Sequence, residues 1–149
     1  MITALDYYES VPPFMRRDLS KMREWLDRLP DPEEKNERGR PELWSCHGIA
    51  RAAHARFSLG KQWAVRDGFF ARHGNEHSWL VRRCTKTEPA LVLDVYPVAS
   101  LGSPILVDIS SCGSPWCGLY IVADDYYTKE HVEAFDAEAA KILKLAEVC

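Results

Sequence analysis

The hydrophobic residues of this sequence change their spacing once, near Gly60, and this change limits the folds that the chain can adopt. Before Gly60, apolar residues recur every three to four positions, which is the spacing of one buried helical face. After it, the chain divides into short runs rich in Val, Leu, Ile, Tyr and Trp, separated by Gly, Asn, Pro and Ser. Helical spacing returns near the C-terminus. Helices, then strands, then one more helix predict an α+β fold.

Two helices are predicted in the first part. One covers residues 12–29 and ends at Pro30, since proline cannot continue a helix. The other begins at Cys46, and the apolar residues that follow it lie on one helical face. These residues are Ile49, Ala50, Ala53 and Phe57. The charged segment 30–41, which prolines bracket, is predicted to be a surface loop.

Five strands and a closing helix are predicted in the second part. The strands are residues 62–70, 77–83, 90–98, 104–109 and 118–123. The turns between them are short, which favours an antiparallel sheet. The last helix is predicted over residues 129–148. We therefore expect N-terminal helices packed on an antiparallel sheet of about five strands, closed by a C-terminal helix, in one domain of residues 1–149.

Charge and hydropathy exclude two classes of partner. The net charge is −3, so no overall positive field favours nucleic acid. No apolar run approaches the ~18 residues that a membrane span needs. The N-terminus, MITALDYYES, lacks the basic and then apolar order of a secretory signal, so the cytoplasm is the expected compartment.

The cysteines do not form a metal or disulfide pattern. There are five, an odd number, namely Cys46, Cys84, Cys112, Cys117 and Cys149. In a cytosolic protein they would be thiols. Cys112 and Cys117 lack the C-x-x-C spacing of redox and zinc pairs, and the histidines lack the short spacing of structural zinc sites. We expect no cofactor and no metal, and keep a metal-dependent hydrolase as a remote alternative.

Cys46 stands where a nucleophile is expected. It opens a helix, and the dipole and unpaired N–H groups at a helix N-terminus favour the thiolate form of a cysteine. Acyl transfer also needs an imidazole that takes the thiol proton and a carboxylate or amide that orients the imidazole. The chain offers both in a suitable order: His77 opens the second predicted strand, and Asp94 lies inside the third.

Asp94 is the more unusual of these two residues. It lies between Leu93 and Val95 in an apolar run, where a carboxylate is seldom buried without a partner. If the second and third strands pair, His77 and Asp94 can share one face of the sheet. Asp108, in the next strand, is the alternative orienting carboxylate.

These residues resemble the transglutaminase-like branch of the papain superfamily, which includes bacterial transglutaminase-like peptidases and, more distantly, arylamine N-acetyltransferases. The resemblance spans about residues 44–98. The matching segments are Cys46, Leu59-Gly60, Val65 through Gly68, His77-Ser78-Trp79 and Leu93-Asp94-Val95-Tyr96-Pro97. His47 and Gly48 stand where the family often has an aromatic residue, and a Cys-x-Gly start is similar to bacterial cell-wall endopeptidases of the same superfamily.

The resemblance implies a papain-like fold and a Cys-His-Asp triad of Cys46, His77 and Asp94. Such a triad attacks an amide of a protein or peptide and forms a thioester, but peptidases, deamidases, transglutaminases and acetyltransferases share these steps. Trp44 and Trp63 are the candidates for a second oxyanion donor. The oligomeric state stays open.

A non-catalytic protein-binding module with the same fold is the alternative function. Its partner surface would use the amphipathic helices and three aromatic residues near the N-terminus, Tyr7, Tyr8 and Phe14.

Overall fold

Three helices and five strands make up the part of the chain that the computed structural model describes, which is residues 13–30, 32, 44–71, 75–82, 90–96, 104–109 and 118–146. The helices are α1 (Pro13–Arg28), α2 (Cys46–Arg56) and α3 (Lys129–Ala146). The strands are β1 (Trp63–Phe70), β2 (Asn75–Arg82), β3 (Leu91–Asp94), β4 (Ile105–Asp108) and β5 (Tyr120–Val122). The predicted α+β architecture is confirmed.

The five strands form one antiparallel sheet in the order β4-β3-β2-β1-β5. β1, β2, β3 and β4 lie side by side in the order of the chain, as consecutive strands commonly do. β5 instead pairs with β1 on the opposite edge, where Gly68 faces Val122. A side chain on Gly68 would meet the backbone of Ile121, so glycine is required for this close approach.

The strand bounds differ from the predicted ones where β2 begins and where β3 ends. β2 begins at Asn75, before His77, because β1 pairs with it through Phe70. β3 ends at Asp94, and the last described β2–β3 pair is Leu80 with Leu93. β2 therefore extends beyond its pairing with β3, and His77 lies in that extension.

The helices pack on one face of the sheet. Residues Leu80, Leu93 and Leu106 of the sheet join α1, α2 and α3 in the larger core cluster. The members that the helices contribute are Leu19, Met22, Trp25, Ile49, Ala52, Ala53, Ala139 and Ile142. The opposite face holds a smaller cluster of Trp79, Val92, Ile105 and Val107. β3 is buried on both faces, which explains its continuous apolar run.

A capping serine and a left-handed residue determine where α2 begins and ends. Ser45 caps its N-terminus, since the Ser45 hydroxyl accepts the N–H of Gly48 at 3.1 Å. At the other end α2 stops at Arg56, and Ser58 adopts a φ of 50°, the left-handed conformation that ends a helix, while Leu59 N–H donates to the His54 oxygen at 3.2 Å. Gly60, which also has a positive φ of 71°, begins a short 3-10 turn before β1.

Several predictions lie outside the described residues. They concern four cysteines, Tyr7, Tyr8 and the side chain of Phe14, most of the 30–41 loop, and Pro97. Within the described ranges, no helix has both the length and the apolar character needed to cross a bilayer.

Candidate active site

Cys46 is the first residue of α2 and lies against the start of β2. Its side chain is half-buried, and its thiol lies 3.9 Å from the backbone oxygen of Glu76, which accepts its proton. This contact brings the tip of the helix to the residue just before His77. The sulfur therefore faces the part of β2 that extends beyond β3.

His77 and Asp94 are in direct contact, as the sequence predicted. Because Leu80 pairs with Leu93, Asp94 lies diagonally across from His77 on the neighbouring strand, and both side chains lie on the same face of the sheet. The His77 Nε2–H donates to both carboxylate oxygens of Asp94, at 2.9 Å each. Both side chains are fully buried. One imidazole nitrogen is thus held by a carboxylate, which sets the tautomer of the neutral ring.

Tyr120 completes the shell around Asp94. Its hydroxyl donates to Oδ2 of Asp94 at 2.8 Å. The rings of Phe70 and Trp79 lie 6.0 and 6.1 Å from that of His77. Asp94 therefore accepts from two side chains while aromatic rings enclose the imidazole, an arrangement that keeps water out and fixes the ring.

The second nitrogen of His77 is available to the Cys46 thiol. Among the described residues, Nδ1 is buried and has no hydrogen bond of standard geometry. Burial lowers the pKa of His77, but hydrogen bonding to Asp94 and Cys46 and the charges of both outweigh it and raise the pKa to about 9. His77 is therefore an imidazolium at neutral pH, placed between a carboxylate and a sulfur that can carry the opposite charge.

The first turn of α2 has two N–H groups beside the sulfur that are not bonded to any of the described residues. Ser45 N–H and its hydroxyl both donate to Glu138 of α3, and Gly48 N–H donates to the Ser45 hydroxyl. The N–H groups of Cys46 and His47 remain at the helix tip, where no earlier turn can accept them. Such groups can hold a negatively charged oxygen next to the nucleophile.

A second buried polar network lies behind Cys46 on the helix side of the sheet. His47 lies 2.5 Å from the Ser78 hydroxyl, which donates to Asp67 of β1. Arg51 binds the two oxygens of Asp67 at 3.1 and 2.7 Å, and also contacts Asp136 of α3 at 3.3 Å. This network links α2 to β1, to β2 and to α3.

The other site candidates lie elsewhere. Trp44 donates its ring N–H to Pro30 at 2.8 Å, and Trp63 is buried in the core, so neither is placed as an oxyanion donor. Asp108 pairs with Leu91, at the opposite end of β3 from Asp94. His54 contacts the backbone oxygens of Gly60 and Trp63. In the described ranges, no group of three or more His, Cys, Asp or Glu residues is placed to hold a metal ion.

Several residues of the site were not predicted from the sequence. Asp67 gave the same signal as Asp94, since it is a carboxylate inside a strand, WAVRDGFF. Ser45 gave the signal of an N-cap, a serine just before a helix. Tyr120 and Glu138 gave none, because each reaches the site from a distant part of the chain.

We compared the chain with protein-family models, with curated proteins and with solved structures, and none of the three comparisons finds a match.

Proposed function

We propose that this protein is a cysteine-dependent hydrolase or acyltransferase of the transglutaminase-like branch of the papain superfamily. Cys46 is the nucleophile, His77 its base and Asp94 the residue that orients His77. One observation carries the proposal: a fully buried imidazole is held by Asp94 through one nitrogen, and its other nitrogen is left for the Cys46 thiol.

The first chemical step forms a thioester. Before the substrate reacts, the proton of the Cys46 thiol has moved to His77, and the resulting thiolate, paired with the imidazolium, attacks the carbonyl carbon of an amide. The N–H groups at the tip of α2 bind the oxyanion of the tetrahedral intermediate. His77 then protonates the leaving amine, and the acyl group stays on Cys46.

The second step transfers the acyl group to an acceptor. Water gives hydrolysis and an amine gives transamidation, and His77 removes the proton of either acceptor. The substrate that we propose is a protein or peptide. We also propose a cytoplasmic location, supported by the odd number of cysteines.

Acylation by an activated ester tests this function without knowledge of the natural substrate. With p-nitrophenyl acetate at neutral pH, we expect a burst of p-nitrophenolate stoichiometric with the protein and an acetyl group on Cys46 by peptide mass spectrometry. The other four cysteines serve as internal controls, since they should be acetylated at least about tenfold more slowly.

Two variants complete the experiment. Cys46→Ala should abolish the burst, and His77→Gln should slow it by about 100-fold, the range of general base catalysis. Equal acetylation of all five cysteines, or a burst that His77→Gln leaves intact, would contradict the enzyme and favour a protein-binding module.

A further inference from the structure

In the hydrogen-bonded network behind Cys46, the donor and the acceptor of each bond between Asp67, Ser78 and His47 can be assigned. Asp67 is held ionised: burial acts to raise its pKa, but hydrogen bonds from Arg51 and Ser78 outweigh burial and lower the pKa. The single hydroxyl proton of Ser78 points to Asp67. The oxygen of Ser78 can therefore only accept a proton from His47, at 2.5 Å, so Nδ1 of His47 carries a hydrogen.

This direction determines what the other nitrogen of His47 can do. Burial lowers the pKa of His47, so the ring is neutral at neutral pH and Nε2 has a lone pair. The hydroxyl of Tyr127 lies 3.5 Å from Nε2 and is its donor. The phenol proton is thus directed at His47, and the phenol oxygen presents only lone pairs to its other neighbours.

Tyr127 is held in place by rings. Its own ring lies 5.1 Å from that of His47 and 5.2 Å from that of Phe135, and the Phe135 ring stacks on His47 at 4.2 Å. Burial raises the pKa of Tyr127, and the charges of Glu76 and Cys46 raise it further, so the hydroxyl keeps its proton at neutral pH. Its hydrogen-bond partner His47 directly follows Cys46 on α2. Tyr127 is therefore a fixed hydrogen-bond acceptor beside the nucleophile.

Glu76 adds a negative charge to the same place. Its backbone oxygen is the one that contacts the Cys46 sulfur, at 3.9 Å, and its side chain is exposed. Tyr126, which is 57% exposed, lies next to Glu76, because its ring is 5.0 Å from that of Phe69, the residue paired with Glu76 between β1 and β2. Glu76 raises the pKa of Tyr126, and the Tyr126 ring lies 5.1 Å from that of Tyr127. Glu76, Tyr126 and Tyr127 thus form an acceptor rim: a carboxylate, an exposed aromatic ring and a phenol oxygen.

In the part of the chain that the structure describes, the arginines near this rim are paired with other carboxylates. Arg51 is paired with Asp67 and Asp136, and Arg66 is paired with Asp124 at 3.5 Å. Carboxylates and phenol oxygens bind ammonium and guanidinium groups through charge and N–H donation, and an exposed aromatic ring binds the same cations on its face.

We propose that the acceptor rim binds a cationic group of the substrate, an ammonium or guanidinium, next to the carbonyl that Cys46 attacks. This inference rests on the proposed function, because it assigns a substrate class to the same site. Glu76 supplies the charge, and Tyr127 accepts an N–H of the cation. Asp67, Ser78 and His47 are positioning residues, which act by directing the Tyr127 proton away from the substrate.

Thiol reagents of different charge test the rim without a known substrate. Methanethiosulfonates react when a thiolate attacks the sulfenyl sulfur, which forms a mixed disulfide and releases methanesulfinate. Four reagents are compared at Cys46: the neutral methyl, the anionic sulfonatoethyl, the cationic trimethylammonioethyl and the cationic aminoethyl compounds. Each rate is divided by the rate of the same reagent with the urea-unfolded protein, which removes intrinsic reactivity.

The ratio of rates for each pair of reagents measures the effect of one residue. The ratio of the trimethylammonium rate to the sulfonate rate measures the charge of Glu76. One charge about 4 Å away in water changes each of the two rates about fivefold, in opposite directions, so Glu76→Gln should lower the ratio about 25-fold. Glu24→Gln, which removes an exposed carboxylate of α1, should leave the ratio unchanged. The ratio of aminoethyl to trimethylammonium measures N–H acceptance, and Tyr127→Phe should lower it about fivefold, the value of one hydrogen bond.

The outcomes separate this inference from the proposed function. If Cys46 reacts rapidly with the neutral reagent but shows no preference for cations, or if Glu76→Gln leaves the preference intact, the acceptor rim is overturned and the nucleophile stands. If Cys46 reacts with the neutral reagent no faster in the folded protein than in the unfolded one, the proposed function fails.

Discussion

His77 and Asp94 illustrate how single residues are stabilised in the interior of this protein. Either group alone would be costly to bury as an ion, and together they form a hydrogen-bonded pair that Tyr120 completes. The pair leaves one imidazole nitrogen for Cys46. The carboxylate of Asp94 therefore has two effects: it orients the ring and it stabilises the positive charge that the ring gains.

The variant Asp94→Asn tests the charge of Asp94 while it keeps the shape of the side chain in the fold. The amide keeps the shape of the side chain but loses the charge, so we expect the pKa of His77 to fall from about 9 and Cys46 acylation at pH 7 to slow by about 10- to 100-fold. NMR titration of the His77 ring measures its pKa, and the ester burst measures the rate of Cys46 acylation. Tyr120→Phe, which keeps the carboxylate, serves as the matched variant and should cost less in both. An unchanged pKa in Asp94→Asn would contradict this account.

At the scale of elements, the contact between α2 and α3 determines where the nucleophile lies. Glu138 reaches Ser45 over Gly48, and a side chain on Gly48 would overlap the Glu138 carboxyl group. The glycine is therefore needed for the Glu138 side chain to reach Ser45 in this position. The same contact satisfies a helix-tip N–H group and leaves those of Cys46 and His47 for a substrate.

A double-mutant cycle on Gly48 and Glu138 measures this contact. We expect Gly48→Ala to lower the free energy of unfolding by about 1–3 kcal/mol, because the added methyl group displaces Glu138. Glu138→Ala should cost about 1 kcal/mol, since Ser45 loses its partner. The double variant should be more stable than the sum of the two predicts, as no carboxyl group remains to be displaced. Strict additivity in urea unfolding would show that the two residues do not interact.

At the scale of the whole molecule, the buried His77 links stability to pH. Its pKa in the folded protein is about 9, above the ordinary value of 6.5, so folding favours the protonated ring. The stabilisation is complete below about pH 6.5 and is lost as the pH rises towards 9. The size implied by the two values is about 3 kcal/mol.

Urea unfolding at pH 6 and pH 9.5 tests this linkage in the wild type and in His77→Gln. We expect the wild type to lose more stability between the two values than the variant does, because only the wild type has this imidazolium. Other titrating groups are common to both proteins and cancel in the comparison. Equal losses would show that folding leaves the pKa of His77 at its ordinary value.

The spacing of apolar residues indicated the helices and the five strands, because burial of one face depends on local periodicity. The short turns between the strands indicated an antiparallel sheet. The sequence also singled out Cys46, His77 and Asp94, since a helix tip and a carboxylate in an apolar strand are local signals. Only the tertiary structure decided that Asp94 rather than Asp108 binds His77, because a register of strands is not local. The same holds for Tyr120, Glu138 and the network of Asp67, Ser78 and His47, whose members meet only after distant segments pack together.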